Sequence, residues 1–599
     1  MTDLPDLTLP AMLREQAETR PGDIAIRQKD FGIWQPTTWA AYYDRARDVA
    51  HGLRLMGLPA NGHVAVLSEN RIEWLLSQMG AGLSGAVTVG VYPTSPASEV
   101  GYVLEHSDSS IVICEDQEQV DKILEIRDGL PKLTAIVVME TKGMRAYPPG
   151  QVTSFAQLEA DGHADRQTNP GLTEEVLKTQ TADDIGLMIY TSGSTGKPKG
   201  AMLSYRNIRA QAVAFESHFG LTAADRYLSY LPLCHVAEQA FTVFGPSYTG
   251  AQVNFGESLR TVQEDLREVA PTVFLGVPRI WEKLQASIHI GMLEAGGYRK
   301  ALYDRALKAC DGFANVPPAK RSAGQKLAFR IWYWLVFRSL QNFVGLRKAR
   351  VAMTGAAPIS PMIVTYFRAI GVPLLEAYGA TETSGVILAQ TPDLQNPGSV
   401  GKPVVNAEVR LGEADELMIR SDLVFSGYYK NDAATENTIR DGWLHTGDVA
   451  RVEDGQYHIV DRLKDIMITA GGKNLSPSEI ENTMKSSPFI KECIVIGEKR
   501  KFVSALIQVD FDTTAKWAEE QGIAYTNFRN LSENPSVREM IEAEIARANA
   551  TLASVAQIRK FHMLTKELDH DDGEVTATMK VRRASIAEKY ASQIEALYG

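Results

Sequence analysis

One stretch decides what this chain can become. The apolar run Ile185-Gly186-Leu187-Met188-Ile189-Tyr190 reads as a buried strand. It empties directly into Thr191-Ser192-Gly193-Ser194-Thr195-Gly196-Lys197-Pro198-Lys199-Gly200. Glycines let backbone N–H groups close on an anion, and the hydroxyls add donors or a metal contact. Lys197 and Lys199 supply fixed positive charge. The combination suits a polyphosphate.

It is not the usual nucleotide P-loop. That motif has a glycine five residues before the glycine of its Gly-Lys pair, and Ser or Thr after the lysine. Here the first position is Thr191, and Lys197 is followed by Pro198. Proline lacks an N–H and has a fixed φ, so no helix runs on from this lysine.

The surrounding pattern is α/β. Val64-Ala65-Val66-Leu67, Val87 to Tyr92, Ile111 to Cys114 and Ala135 to Met139 read as strands between helical patterns. They predict a large parallel or mixed sheet with helices on both faces. Thr37-Thr38 carries the cap signal for a helix over the following residues. Gly80-Ala81-Gly82-Leu83-Ser84-Gly85 fits the dinucleotide fingerprint, but in reversed context: a helix precedes it and a strand follows. It is read as a small-residue helix-to-strand connection with close packing, not as a dinucleotide site.

A chain of 599 residues is too long for one core, so at least two domains are expected. A net charge of −11 argues against a general nucleic-acid binder. The four cysteines lie far apart, with no paired spacing for structural zinc, and a reducing compartment fits them. The acidic start, Met1 to Asp6, is neither a signal nor a transit peptide, and no run reaches membrane-span length. A cytoplasmic protein is expected.

Further clusters follow in order. Tyr227 to Leu233 reads as a strand ending at Cys234-His235-Val236, and Thr272 to Trp281 as a strand, containing Gly276-Val277, that leads into a helix. Residues 283–350 form a long helical insertion. Within it, the aromatic 326–338 stretch is flanked by Arg347, Lys348 and Arg350, which leaves two readings open: a core helix with basic ends, or contact with a membrane surface. Gly355-Ala356-Ala357-Pro358, Glu376-Ala377-Tyr378-Gly379 with Thr381 and Glu382, and Trp443 to Asp448 are small-residue or charged segments beside apolar runs. Asp461-Arg462 with Lys464 marks the expected boundary between a domain of residues 1–461 and one of 462–599. Gly471-Gly472-Lys473 lies just beyond it, and Lys580 stands in the tail Gly573 to Arg583.

Each cluster alone is weak. Five in this order resemble an AMP-forming acyl-CoA synthetase of the adenylate-forming superfamily over nearly the whole chain. The length, the insertion and the tail resemble the long-chain fatty acid branch. The resemblance implies a large multi-sheet domain with helices packed on mixed sheets, and a small mobile α+β domain. It implies ATP, Mg²⁺ and coenzyme A as reaction partners.

Carried over residue by residue, it gives these expectations. Thr191 to Lys199 hold phosphate, and Thr191 with Glu382 reaches the metal. Gly355, Ala356, Ala357, Pro358, Glu376, Ala377, Tyr378, Gly379 and Thr381 enclose the adenine side. Asp448 and Arg462 bind ribose, and Lys464 is the hinge. Gly471, Gly472 and Lys473 meet coenzyme A, His235, Val236, Gly276 and Val277 line the acyl pocket, and Lys580 is the adenylation lysine. The alternatives are a fatty acyl-adenylate ligase loading an acyl carrier protein, an aryl or medium-chain acid ligase, and, in another class, a non-catalytic nucleotide- or acyl-binding protein. A peripheral location at the inner face of a membrane and a homodimer stay open.

Overall fold

The computed structural model describes residues 7–191, 197–258, 260–569, 572–576 and 580–599. Two large sheets carry the first four hundred residues. In the eight-stranded sheet, the strands run in the order Gly427–Tyr428, Lys199–Ser204, Ile185–Thr191, Val87–Val91, His63–Leu67, Ser109–Cys114, Ala135–Val138 and Thr153–Ser154. Its centre is parallel, Val87–Val91 pairing with His63–Leu67 and Ile185–Thr191. Such strands are covered on both faces, which is why they read as unbroken Val/Ile runs. Val87–Val91 is buried at every position.

The nine-stranded sheet has at its centre Leu374–Ala380, Val351–Thr354, Val273–Gly276, Arg226–Ser229 and Gln252–Phe255. One apolar core spans both sheets. Helix Ile72–Leu83 lies within it, with every residue but Glu73 buried. The two glycines of the false fingerprint explain how it fits. A Cβ at Gly80 would come within 2.5 Å of Val49, and one at Gly82 within 2.7 Å of Pro10. They are interhelical packing positions inside the helix, so the expected connection shrinks to Ser84–Ala86, turned at Gly85 with φ +76°.

Two other expectations change in extent. The strand expected over 227–233 ends at Ser229, and beyond it the Asn70 side chain, not a neighbouring strand, takes the Leu231 carbonyl and the Leu233 N–H. The helical insertion begins earlier than expected, with Pro278–Ala295, and continues through Gly297–Asp311 and Ala323–Trp332 to Arg338–Phe343. Its inner side builds a second core on Phe274, Trp281, Phe337 and Phe367.

A five-stranded sheet follows, in which Trp443–Glu453 pairs with Gln456–Arg462. The remaining chain folds on its own core around the strands Ile490–Ile496, Val503–Val509 and Ile558–Met563. The junction is tied at Asp461, whose carboxylate accepts Ser476 Oγ at 2.8 Å and Ser478 Oγ at 3.0 Å.

Candidate active site

Several of the singled-out residues stand at or just beyond strand ends. Thr191 closes its strand directly opposite Lys199 in the antiparallel register. Ser192, Gly193, Ser194, Thr195 and Gly196 lie outside the described residues. Just beyond them, two lysines rest on aromatic rings. Lys197 Nζ sits 4.8 Å from the Tyr102 ring centroid, and Lys199 Nζ sits 4.8 Å from that of Tyr428. Tyr102 in turn donates from its hydroxyl to the Pro198 carbonyl at 3.1 Å. Both ammonium groups therefore stay beside the loop.

Tyr428 extends the path to Glu382. Its hydroxyl donates to Glu382 Oε1 at 2.7 Å. Among the described residues, Glu382 Oε2 accepts no hydrogen bond. Those residues contain no group of three or more His, Cys, Asp or Glu side chains able to hold a metal unaided. A carboxylate with one open oxygen, and a hydroxyl at a strand end, instead suit a divalent cation that takes its other oxygens from phosphate and water.

The segments expected on the adenine side are sterically specified. Ala356, in the loop after strand Val351–Thr354, adopts φ +67°, a left-handed conformation uncommon without glycine. A Cβ at Gly355 would stand 3.1 Å from the Ala377 carbonyl, and one at Gly379 only 1.9 Å from the Gly385 carbonyl. Ala357 and Pro358 stay exposed in the same loop. Thr381 is buried in the short turn that also carries Glu382. Glu376 behaves differently. Its buried carboxyl accepts Gly398 N–H at 2.9 Å and Gln390 Nε2 at 3.2 Å, so the side chain braces the 390–399 loop. Burial pushes this carboxyl up to about 7.

Asp448 collects the charges at the mouth. Tyr378 donates its hydroxyl to Asp448 Oδ2, and Arg462 Nε lies 3.2 Å from Oδ1. Burial raises the Asp448 pKa above the usual carboxylate value, and Arg462 opposes that rise. Lys580 lies within electrostatic range of Arg462, Asp448 and Glu382. Its ammonium pKa is lowered by crowding against protein and then by Arg462, while both carboxylates pull it back. The residue still touches solvent.

Lys580 also acts on His235. Burial, then the Lys580 charge, push the imidazole down to about 4, so the ring is neutral at physiological pH. His235 Nδ1 accepts Ala237 N–H at 3.1 Å, which leaves the proton on Nε2. Val236, buried, starts the next helical turn. Gly276 and Val277 close a nearby strand. A Cβ at Gly276 would meet Trp281 Nε1 at 2.5 Å, and that nitrogen donates to the Gly276 carbonyl at 2.9 Å. Val277 N–H donates to Tyr230 Oη at 3.3 Å.

Two expected groups follow the strand that ends at Arg462. Lys464 is exposed in the turn after strand Gln456–Arg462. Gly471, Gly472 and Lys473 form the exposed tip of the hairpin Met467–Ile468/Asn474–Leu475, with Gly472 at φ +73°. The hairpin's backbone hydrogen bonds run within itself and to Arg500 and Lys499. Tyr428, Tyr102 and Arg279 were not foreseen. Their contacts, Tyr102 to Pro198, Tyr428 to Glu382 and Arg279 to Asp510, join segments 96, 46 and 231 residues apart, and no local spacing signals them.

Strand-end glycine loops, a buried aspartate paired with an arginine, and a lysine brought back from the end of the chain define a nucleotide-handling α/β enzyme built from a large and a small lobe. The chain belongs to the AMP-binding enzyme family: the profile of that family matches residues 13–429, and the profile of the AMP-binding enzyme C-terminal domain matches residues 464–599. Among its relatives is the long-chain-fatty-acid–CoA ligase FadD15 of Mycobacterium tuberculosis, 31% identical over 98% of this chain and 96% of that protein. Another is the long-chain-fatty-acid–CoA ligase heimdall of Drosophila melanogaster, 30% identical over 99% and 95%. The fold matches the anthranilate CoA ligase AuaEII in complex with anthranoyl-AMP, with a TM-score of 0.75, 21% identity, and coverage of 100% and 99%. It also matches ATP-bound MatB from Rhodopseudomonas palustris, with a TM-score of 0.68, 21% identity, and coverage of 98% and 99%.

Proposed function

We propose that the protein is a long-chain fatty acid–CoA ligase, with residues 1–461 binding ATP and acid and residues 462–599 moving about Lys464. The fatty carboxylate attacks the α-phosphorus of ATP. The bond to the bridging oxygen breaks, pyrophosphate leaves, and an acyl-adenylate forms. The thiolate of coenzyme A then attacks the acyl carbon, and AMP leaves as the thioester forms.

The observation that carries this reading is that Lys580, from the tail of the chain, lies within electrostatic range of Asp448 and Glu382. Two anions must meet in the first step, and a positive charge delivered to that point lowers the barrier. Thr191 to Lys199 would hold the departing pyrophosphate, and Thr191 and Glu382 would hold a divalent cation, which would offset the charge of the triphosphate. Asp448 and Arg462 take the ribose. A neutral His235 suits the wall of an acyl pocket, because it adds no charge beside an alkyl chain, and Val236, Gly276 and Val277 continue that wall. The second step needs Lys580 withdrawn, and the Gly471-Gly472-Lys473 tip, with no side-chain packing to break, then meets coenzyme A.

The test follows pyrophosphate, AMP and thioester with fatty acid, ATP and Mg²⁺, with and without coenzyme A. Pyrophosphate, with thioester and AMP release only when coenzyme A is present, is expected. ADP and phosphate as products would contradict adenylation. Acyl-adenylate that coenzyme A does not discharge would favour a carrier-protein acceptor.

A specific surface favours contact with an anionic membrane. Leu327, Ile331, Trp334 and Leu335 are 61%, 49%, 61% and 59% exposed. Lys326, Arg330, Arg347 and Lys348 are exposed around them, and no Asp or Glu occurs from Lys320 to Arg350. No helix among the described residues is long and apolar enough to cross a membrane, so the stripe would lie in the interface. Co-sedimentation with anionic vesicles, lost on Trp334→Ser and absent with zwitterionic vesicles, is expected. Equal partitioning with and without vesicles would contradict it.

A further inference from the structure

Tyr428 touches two groups of opposite charge through two different parts of its side chain. The ring face carries the Lys199 ammonium at 4.8 Å, and the hydroxyl donates to Glu382 Oε1 at 2.7 Å. We infer that Tyr428 is a positioning residue that sets the phosphate-side lysine and the metal-side carboxylate in one fixed spacing for the Mg²⁺-bound triphosphate. The inference rests on the assignment of ATP to this site.

The side chain is well placed to hold a spacing. Tyr428 is 6% exposed, and Phe425 packs edge-on against it with ring centroids 4.8 Å apart. Its backbone pairs with Ala201 on the strand that carries Lys199, and its N–H donates to Thr435 Oγ1 at 2.9 Å. The Phe425 N–H donates to the Glu382 backbone carbonyl at 3.0 Å. Glu382 is therefore fixed to the 425–428 segment at both backbone and side chain.

The two contacts do different jobs. The hydroxyl occupies one carboxylate oxygen and stops the group from rotating, so Oε2 is presented in one direction. The ring holds Lys199 beside the loop without neutralising it, since a cation–π contact is weaker than an ion pair to phosphate. An aspartate in place of the ring would pair with the lysine and compete with phosphate; a leucine would leave it unanchored.

Substitutions separate the jobs. ATP affinity is measured by calorimetry, without the acid substrate, once in excess EDTA and once in excess Mg²⁺, and Mn²⁺ bound with ATP is read by its paramagnetic resonance. Tyr428→Phe keeps the ring. It should bind ATP in EDTA as the wild type does, but lose about tenfold of the affinity gained from metal, the size of one hydrogen bond to a charged group. It should also broaden the Mn²⁺ signal. Tyr428→Leu should lose affinity in EDTA as well. Wild-type metal dependence in Tyr428→Phe would overturn the inference. So would losses in both variants that simply follow a fall in melting temperature, which is a structural role. Wild-type protein that binds no ATP would overturn the nucleotide assignment as well, a result distinct from either.

Discussion

Arg279 Nη2 and Asp510 Oδ2 meet at 2.7 Å, joining the helix behind the Gly276-Val277 segment to the C-terminal lobe. A second pair on the same helix, Glu294 with Lys516, stands at 3.1 Å. Asp510 also caps helix Phe511–Glu520, its Oδ1 accepting the Thr513 N–H at 3.2 Å. Both pairs form in the arrangement in which Lys580 lies within electrostatic range of Asp448. Asp510→Asn keeps a capping side chain and removes the charge. It should slow acyl-adenylate formation severalfold, in line with about 1 kcal/mol for a partly buried pair, and leave thioester formation from supplied acyl-adenylate unchanged or faster. Separate timing of the two half-reactions checks this, and high salt should mimic the substitution. Equal slowing of both steps would contradict it.

The loops proposed to enclose adenine should respond to small changes in opposite directions. Gly379→Ala places a Cβ 1.9 Å from the Gly385 carbonyl, where both partners are backbone. It should lower stability by about 2 kcal/mol or more and abolish ATP binding. Ala356 already sits at φ +67°. Ala356→Gly removes a left-handed conformational cost of about 1 kcal/mol, partly offset by added freedom in the unfolded chain. Its melting temperature should equal or exceed that of the wild type. Thermal unfolding of the two variants side by side decides the point.

Acid should weaken the protein through His235. Its folded pKa, pushed down to about 4 by burial and Lys580, lies below the ordinary histidine value. The stabilisation from keeping it neutral is complete above about 6.5 and is lost as the pH falls from there through 4, at most about 3 kcal/mol. His235→Asn keeps an acceptor for the Ala237 N–H. It should flatten the stability curve across that window and leave it unchanged above pH 7. Urea unfolding at pH 5 and pH 8 measures the difference; an unchanged pH slope would contradict the buried, neutral imidazole.

Much of this was legible along the chain because its signals are local. Ile185–Thr191 shows as a strand from its own apolar run, and the glycine and charge clusters lie at strand ends. Contacts that close the site do not show this way. Tyr428 reaches Glu382 across 46 residues, and Arg279 reaches Asp510 across 231. Neither pair follows a helical or strand period. At Gly80 and Gly82 the close packing was legible but the helix end was not: a glycine needed for interhelical packing and one needed for a turn look alike in sequence, and only Val49 and Pro10 distinguish them. Glu376 stands within a nucleotide-like cluster, yet its carboxyl is taken by Gly398 and Gln390.

Lys580→Ala tests the account most directly, in two assays on the same preparation. Pyrophosphate release from fatty acid and ATP should fall about 10²- to 10³-fold, the scale of one transition-state charge contact. Thioester formation from supplied acyl-adenylate and coenzyme A should stay within about twofold of wild type, about 0.4 kcal/mol of barrier. Equal loss of both steps, or retention of the first, would contradict the role assigned to this lysine.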